Sequence, residues 1–203
     1  EGVLEPGKSS IILDIPLAEL SNGLNRLTIT NLGARPLYYD LSTSYDLLQE
    51  NVSAAGNIKV TRSYLDPATN QPIQSIQVGE LVKVSITVQV PENTYFIAVE
   101  DFLPGGLEAL NEGLNSTSQV SYGMWGQENY HPFYWEDYGY NYKEIRGDRV
   151  IFFITNFEKG KRTFTYFTRA TTAGEFTVLS TQVYAMYDQS MWGRSESENF
   201  EIK

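Results

Sequence analysis

The sequence contains no cysteine and a single histidine in 203 residues. Without thiols there can be no disulfide, no thiolate metal site, no thiol nucleophile and no internal thioester within this chain. His131 stands beside Pro132 in an aromatic stretch, with no serine or carboxylate motif around it to build a Ser-His-Asp assembly. Basic residues are also scarce, since 15 Lys and Arg against 25 Asp and Glu leave a formal charge of -10. Phosphate contacts have to come from Lys and Arg, so this balance opposes nucleic-acid backbones and anionic lipid surfaces. No run approaches the ~20 apolar residues needed to cross a bilayer, and direct membrane insertion is not expected. No Gly-rich loop precedes a helix, which leaves a nucleotide without an anchor. No cofactor is expected. Residues 1–7 lack the basic and apolar regions of a signal peptide, so targeting information is expected to lie outside them.

What remains is an ordinary globular mix, 41% hydrophobic and 20% charged. Its carboxylates do not assemble into a catalytic pattern. Glu100-Asp101 and Glu136-Asp137 are adjacent, and neighbours on a strand point to opposite faces, so neither pair can flank one glycosidic bond. Asp137, Asn141, Glu144 and Asp148 lack the glycine and the ligand spacing of a calcium loop. The triplets Asn51-Val52-Ser53 and Asn115-Ser116-Thr117 read as loops. The expectation is a chain without enzymatic activity.

Periodicity points to strands. Over residues 81–90, Val82, Val84, Ile86, Val88 and Val90 alternate with polar residues, the pattern of a half-buried strand. Residues 58–64, 163–170 and 182–186 alternate similarly. Residues 95–99 and 150–154 are short apolar runs that suit fully buried strands, and Phe200 with Ile202 suggests a closing strand. Turn clusters at residues 66–70, 104–106, 146–148 and 158–160 separate them. No long amphipathic helix can be drawn, so the strands are expected to join antiparallel in a sandwich, with one short helical turn near residues 107–114.

Residues 1–55 hold a small N-terminal β segment with candidate strands at 9–15, 26–30 and 36–45. Three strands cannot bury both faces alone, so the segment should pack on the larger domain or belong with strands elsewhere in a longer parent. Residues 49–57 read as the linker to a second domain at 56–203. The most unusual composition lies at 122–142, where Trp125, Tyr130, Phe133, Tyr134, Trp135, Tyr138 and Tyr140 concentrate amphipathic rings that favour interfaces. This loop could be a mini-core folded over the sandwich, a protein interface, or a stacking platform in a carbohydrate-binding module. A plain spacer domain of a surface protein is a further reading.

The order of punctuated strands from Ile58 onward is specific. Val60-Thr61-Arg62-Ser63-Tyr64 is followed by Val78-Gly79-Glu80-Leu81-Val82, then Asp101-Phe102-Leu103-Pro104-Gly105-Gly106-Leu107, then Asp148-Arg149-Val150. Tyr166-Phe167-Thr168-Arg169-Ala170, Ala185-Met186-Tyr187-Asp188 and Gly193-Arg194-Ser195 complete the series. Together they resemble the C-terminal macroglobulin-like domain, MG10, of bacterial alpha-2-macroglobulins. The resemblance implies a macroglobulin-like, fibronectin-III-like β-sandwich preceded by trailing strands of a CUB-like region. It implies a non-catalytic scaffold and latch in an extracytoplasmic protease inhibitor, periplasmic or at the cell surface. Its partners would be the thioester domain and neighbouring macroglobulin domains of the same parent, and the proteases that the parent traps. Met186 and Tyr187 match a pair that, in thioester-bearing relatives, helps to cover the thioester. Gln189, where the pattern usually brings a proline, and the aromatic insertion are departures.

Overall fold

The computed structural model describes residues 8, 10–21, 23–42, 52–111 and 139–203. The chain divides into two compact units, Glu1–Asp46 and Leu47–Lys203. In the first, the described residues form one 3-10 turn, Leu17–Glu19, and no strand. The described residues of the segments expected as strands there carry no ladder, while residues 9 and 43–45 of those segments lie outside the described residues. Every described residue of this unit is exposed, including Ile11, Leu13, Ile29 and Leu37, so the alternating apolar positions have no packed face to hold them in a sheet.

The described residues of the second unit form a sandwich of thirteen strands. In chain order they are β1 (Ala55–Gly56), β2 (Lys59–Leu65), β3 (Ser75–Ile76), β4 (Leu81–Val90), β5 (Thr94–Phe102), β6 (Leu107–Ala109) and β7 (Tyr142–Ile145). They continue with β8 (Arg149–Phe157), β9 (Gly160–Ala170), β10 (Gly174–Val178), β11 (Gln182–Ala185), β12 (Asp188–Arg194) and β13 (Glu198–Ile202). A six-stranded sheet runs β1-β12-β11-β5-β8-β7, a four-stranded sheet β2-β4-β9-β6, and a three-stranded sheet β10-β13-β3.

The β4 strand shows why alternation is informative. Its five even-numbered Val and Ile residues are buried while its odd-numbered residues are only partly covered. Slipping its register on β2 or β9 by one residue would expose all five. Beside them on the same sheet lie Phe164 and Tyr166 of β9, and the same continuous core takes in Ile97 and Val99 of β5, Phe152, Ile154 and Phe157 of β8, and Phe200 and Ile202 of β13.

Four expectations need correction. Residues 107–109 form a strand rather than a helical turn, because Leu107 pairs with Ala170 at the end of β9. β3 joins β13 in parallel, so among the described residues the sheets are antiparallel with one exception. The expected linker at 49–57 is partly sandwich. The Val52 N–H donates to Ser197 Oγ at 2.6 Å, the Ser197 N–H donates back to the Val52 carbonyl at 2.9 Å, and β1 pairs with Gly193 and Arg194. That pairing brings backbones so close that a Cβ on Gly193 would collide with the Ile58 carbonyl, which explains a glycine there on grounds of space. Finally, the apolar run 95–99 is not wholly buried, since Tyr95 and Phe96 face outward.

That last departure has a local cause. Phe96 has φ 53°, a left-handed backbone that a bulky residue rarely adopts. The ladder between β5 and β8 skips Phe96 and Thr155 but resumes in the same register on both sides. Thr94 and Ile97 are both buried, with the two aromatics between them exposed, so the inward face changes phase at Phe96. The β8 strand slips at the matching place, and the stranded Thr155 N–H is taken up by Asn141 Oδ1 at 2.6 Å.

A charged cluster crosses the core. Arg62 of β2 reaches Asp101 of β5 at 2.8 Å and Glu198 of β13 at 2.9 Å, tying together all three sheets. Asp101 also accepts from the Tyr166 hydroxyl at 2.6 Å and the Thr181 hydroxyl at 2.6 Å, while Arg62 donates to the Leu179 carbonyl at 2.9 Å. Burial, followed by the Asp101 charge, pushes the Tyr166 phenol well above its ordinary pKa, so it remains a donor. Burial opposes the charge on Arg62, but Asp101, Tyr64 and Glu198 outweigh it and hold the guanidinium above its ordinary value. The signal for this cluster was in the alternation itself, which places Arg62 on the inward face with Val60 and Tyr64, and Asp101 with Ile97 and Val99.

Candidate interaction site

Met186 and Tyr187 form a two-residue turn between β11 and β12, closed by the pairing of Ala185 with Asp188. The expected strand at 182–186 therefore stops at Ala185, and Asp188-Gln189-Ser190 begins β12. Neither tip side chain belongs to the core, since Met186 is 49% exposed and Tyr187 80%. Because both tip residues are consumed by the turn itself, the face on which each would lie in a continuing strand does not decide their burial.

Three supports hold this tip. The first is in β12, where Tyr184 pairs with Trp192, leaving residues 189–191 as a bulge opposite no partner. Asp188 Oδ1 accepts from the Ser190 hydroxyl at 2.7 Å and the Ser190 N–H at 3.0 Å, which keeps the Asp188 carboxyl below its ordinary pKa. The second is Asn57, whose side-chain amide donates to the Ser190 carbonyl at 2.8 Å and accepts from the Trp192 N–H at 3.0 Å. It supplies the donor and acceptor that a paired strand would have offered. Met191, at the end of the bulge, is buried and pins it to the core. The third support is Phe96, whose carbonyl accepts the Met186 N–H at 2.8 Å and whose ring meets Tyr187 edge-on, with centroids 5.3 Å apart. A cleft lined by Glu92, Tyr95, Phe96, Tyr187 and Asp188 lies at the tip.

The face of the six-stranded sheet beside the tip is also aromatic. The register lines up Trp192, Tyr184, Ala98, Phe153 and Tyr142 in one row across five strands. Tyr142 stacks on Phe153 at 6.0 Å, and Tyr142, Tyr184 and Trp192 are all exposed. Below the row, Arg149 pairs with Glu100 at 2.6 Å and lies over the Phe102 ring, so Glu100 and Asp101 do face opposite ways.

Of the aromatic residues expected to form an interface, Trp125, Tyr130, Phe133, Tyr134, Trp135 and Tyr138 lie outside the described residues, as do His131, Glu136 and Asp137. Tyr140 is half-buried and packs edge-on against Phe152 at 5.1 Å, on the core side. Asn141, Glu144 and Asp148 are each engaged with protein groups, Asn141 with the Thr155 N–H and the two carboxylates with Arg146 and Arg149. Among the described residues no three carboxylate or imidazole groups come together as a metal site. Sequence reasoning missed Asn57 and Phe96. Asn57 was read as linker, and Phe96 was hidden in an unbroken apolar run.

The described residues define an all-β sandwich module with exposed aromatic side chains at one hairpin tip and along one sheet face. The model of the bacterial alpha-2-macroglobulin MG10 domain matches residues 58–190, and the chain belongs to that family. It is 22% identical to the alpha-2-macroglobulin homolog of Nostoc over 92% of this chain and 10% of that protein. It is 24% identical to the circularly permutated Ras protein 2 of Dictyostelium discoideum, over 95% of this chain and 4% of that protein. The crystal structure of Salmonella alpha-2-macroglobulin reacted with methylamine superposes with a TM-score of 0.59 at 26% identity, covering 75% of this chain and 10% of that one. The chain thus spans a tenth or less of the length of these relatives, and its sandwich is a domain of an alpha-2-macroglobulin-like protein. No helix among the described residues is long and apolar enough to cross a membrane.

Proposed function

We propose that this chain is the non-catalytic scaffold and latch of a bacterial protease inhibitor, and that its Met186–Tyr187 tip covers a thioester carried by another domain of the parent. The observation that carries the reading is an exposed Tyr ring and Met thioether at a tip held by three separate supports. A thioester persists in water only while nucleophiles are kept from its carbonyl. An aromatic ring beside a flexible thioether makes a dry cover that can be lifted when domains move. The Salmonella relative is one that has been reacted with methylamine, a small nucleophile of the kind such a cover would exclude. With no cysteine in this chain, the acylating group has to reside elsewhere.

In the same reading the first unit, Glu1–Asp46, supplies trailing segments of a CUB-like domain whose other strands lie elsewhere in the parent, which accounts for the exposed apolar side chains among its described residues. The aromatic row at Trp192, Tyr184 and Tyr142 meets neighbouring macroglobulin domains, and the parent works outside the cytoplasm, where the proteases it traps are found. The test is the rate at which methylamine consumes the thioester of the uncleaved parent. Tyr187→Ala or Met186→Ala is expected to raise it about tenfold, equivalent to about 1.4 kcal/mol of barrier. An unchanged rate in both variants would reduce the tip to packing.

A further inference from the structure

Phe96 combines three features that rarely meet in one residue. It is a bulky aromatic in the left-handed region, in the interior of a ten-residue-scale strand pair, and it is 47% exposed, so core packing does not explain it. Such a backbone costs of order 1–3 kcal/mol and persists only where the surroundings impose it. Glycine or asparagine would adopt φ 53° at lower cost, and neither is there. What Phe96 supplies instead is aimed at one place. The phase change turns Tyr95 and Phe96 outward beneath the hairpin, points the Phe96 carbonyl at the Met186 N–H, and sets the Phe96 ring against Tyr187. Thr155, the residue opposite, is compensated by Asn141, so the break in the ladder is built in on both strands.

We infer that Phe96 is the positioning residue of the Met186–Tyr187 tip, holding the Met186 backbone through its carbonyl and the Tyr187 ring through its own ring. The functional weight of this role rests on the reading of the tip as a cover, but the positioning itself can be measured in this chain alone. The side chain acts through Tyr187 and touches no reacting group. A residue kept only for the stability of β5 would be improved by glycine without consequence at the hairpin.

The experiment compares Phe96→Gly and Phe96→Asn, which tolerate the left-handed backbone and lack the ring, with Phe96→Tyr, which keeps the ring. Both ring-less variants should melt no lower than the original protein, show Tyr187 ring proton shifts close to those of an unstructured tyrosine, and exchange the Met186 amide about tenfold faster. Phe96→Tyr should restore the shifts and the protection. Ring-less variants with unchanged Tyr187 shifts and Met186 exchange would overturn the inference, as would a loss of both in Phe96→Tyr. In a thioester-bearing parent, Phe96→Gly should speed methylamine consumption as much as Tyr187→Ala does. If the ring-less variants loosen the tip here and neither change speeds thioester loss there, the cover reading falls and the positioning role stands. If Tyr187→Ala speeds the loss while the ring-less variants loosen nothing, the reverse holds.

Discussion

Arg62 and Asp101 meet at 2.8 Å across the core, with side chains only 1% and 0% exposed. Neither can lose the other cheaply, because Asp101 would keep only the Tyr166 and Thr181 hydroxyls against its buried charge and Arg62 only Glu198 as a charged partner. Arg62→Met or Asp101→Leu is expected to lower stability by about 3–5 kcal/mol in chemical denaturation. The double variant should lose less than the sum of the two, since no lone charge remains in the core. Single variants within about 1 kcal/mol of the original would show that the cluster is not a structural tie.

How far the sequence revealed this fold depended on whether one face was buried and nothing interrupted it. β4 was fully legible because its alternation reports a single inward face over ten residues. β7 and β12 were not. β7 is an edge strand without a buried residue, and β12 opens with three exposed residues before Met191 enters the core. In β5 every residue of 95–99 is apolar, so hydrophobicity could not register a phase change that depends on one backbone angle. Met186 and Tyr187 were found through family resemblance. Their supports, Asn57 and Phe96, lie far away in sequence and hold the backbone of the hairpin, Asn57 through its side-chain amide and Phe96 through its carbonyl and ring, contacts that leave no local signature.

The boundary between the two units can be tested by truncation. Removing Glu1–Asp46 should leave one cooperative melting transition, because the sandwich core is contained in Leu47–Lys203. Removing residues 1–56 also deletes β1 and the reciprocal bonds between Val52 and Ser197, and should lower the midpoint. If the shorter deletion abolished cooperative melting, the first unit would be integral to the core.

Asp188 gives the tip a defined response to acid. Its carboxyl is held below the ordinary value of about 3.9 by the Ser190 hydroxyl first and the Ser190 N–H second. A depressed folded-state pKa stabilises the native form above the unfolded value, and that contribution is lost as pH falls through the folded value. In a carboxyl carbon NMR titration, Asp188 should titrate below an ordinary aspartate, and Ser190→Ala should move its midpoint upward. A midpoint unmoved by that substitution would mean the hydroxyl does not hold the carboxylate.

β13 lies between β10 and β3, with Phe200 and Ile202 sealed in the core, yet it follows every other strand of the sandwich in sequence. Without these five residues β10 and β3 would have no ladder partner among the described residues, and the apolar surface that Phe200 and Ile202 cover would be open. Unpaired strand edges beside uncovered apolar surface are what invites edge-to-edge misassembly, so this short strand protects the sandwich from self-association as well as filling its interior.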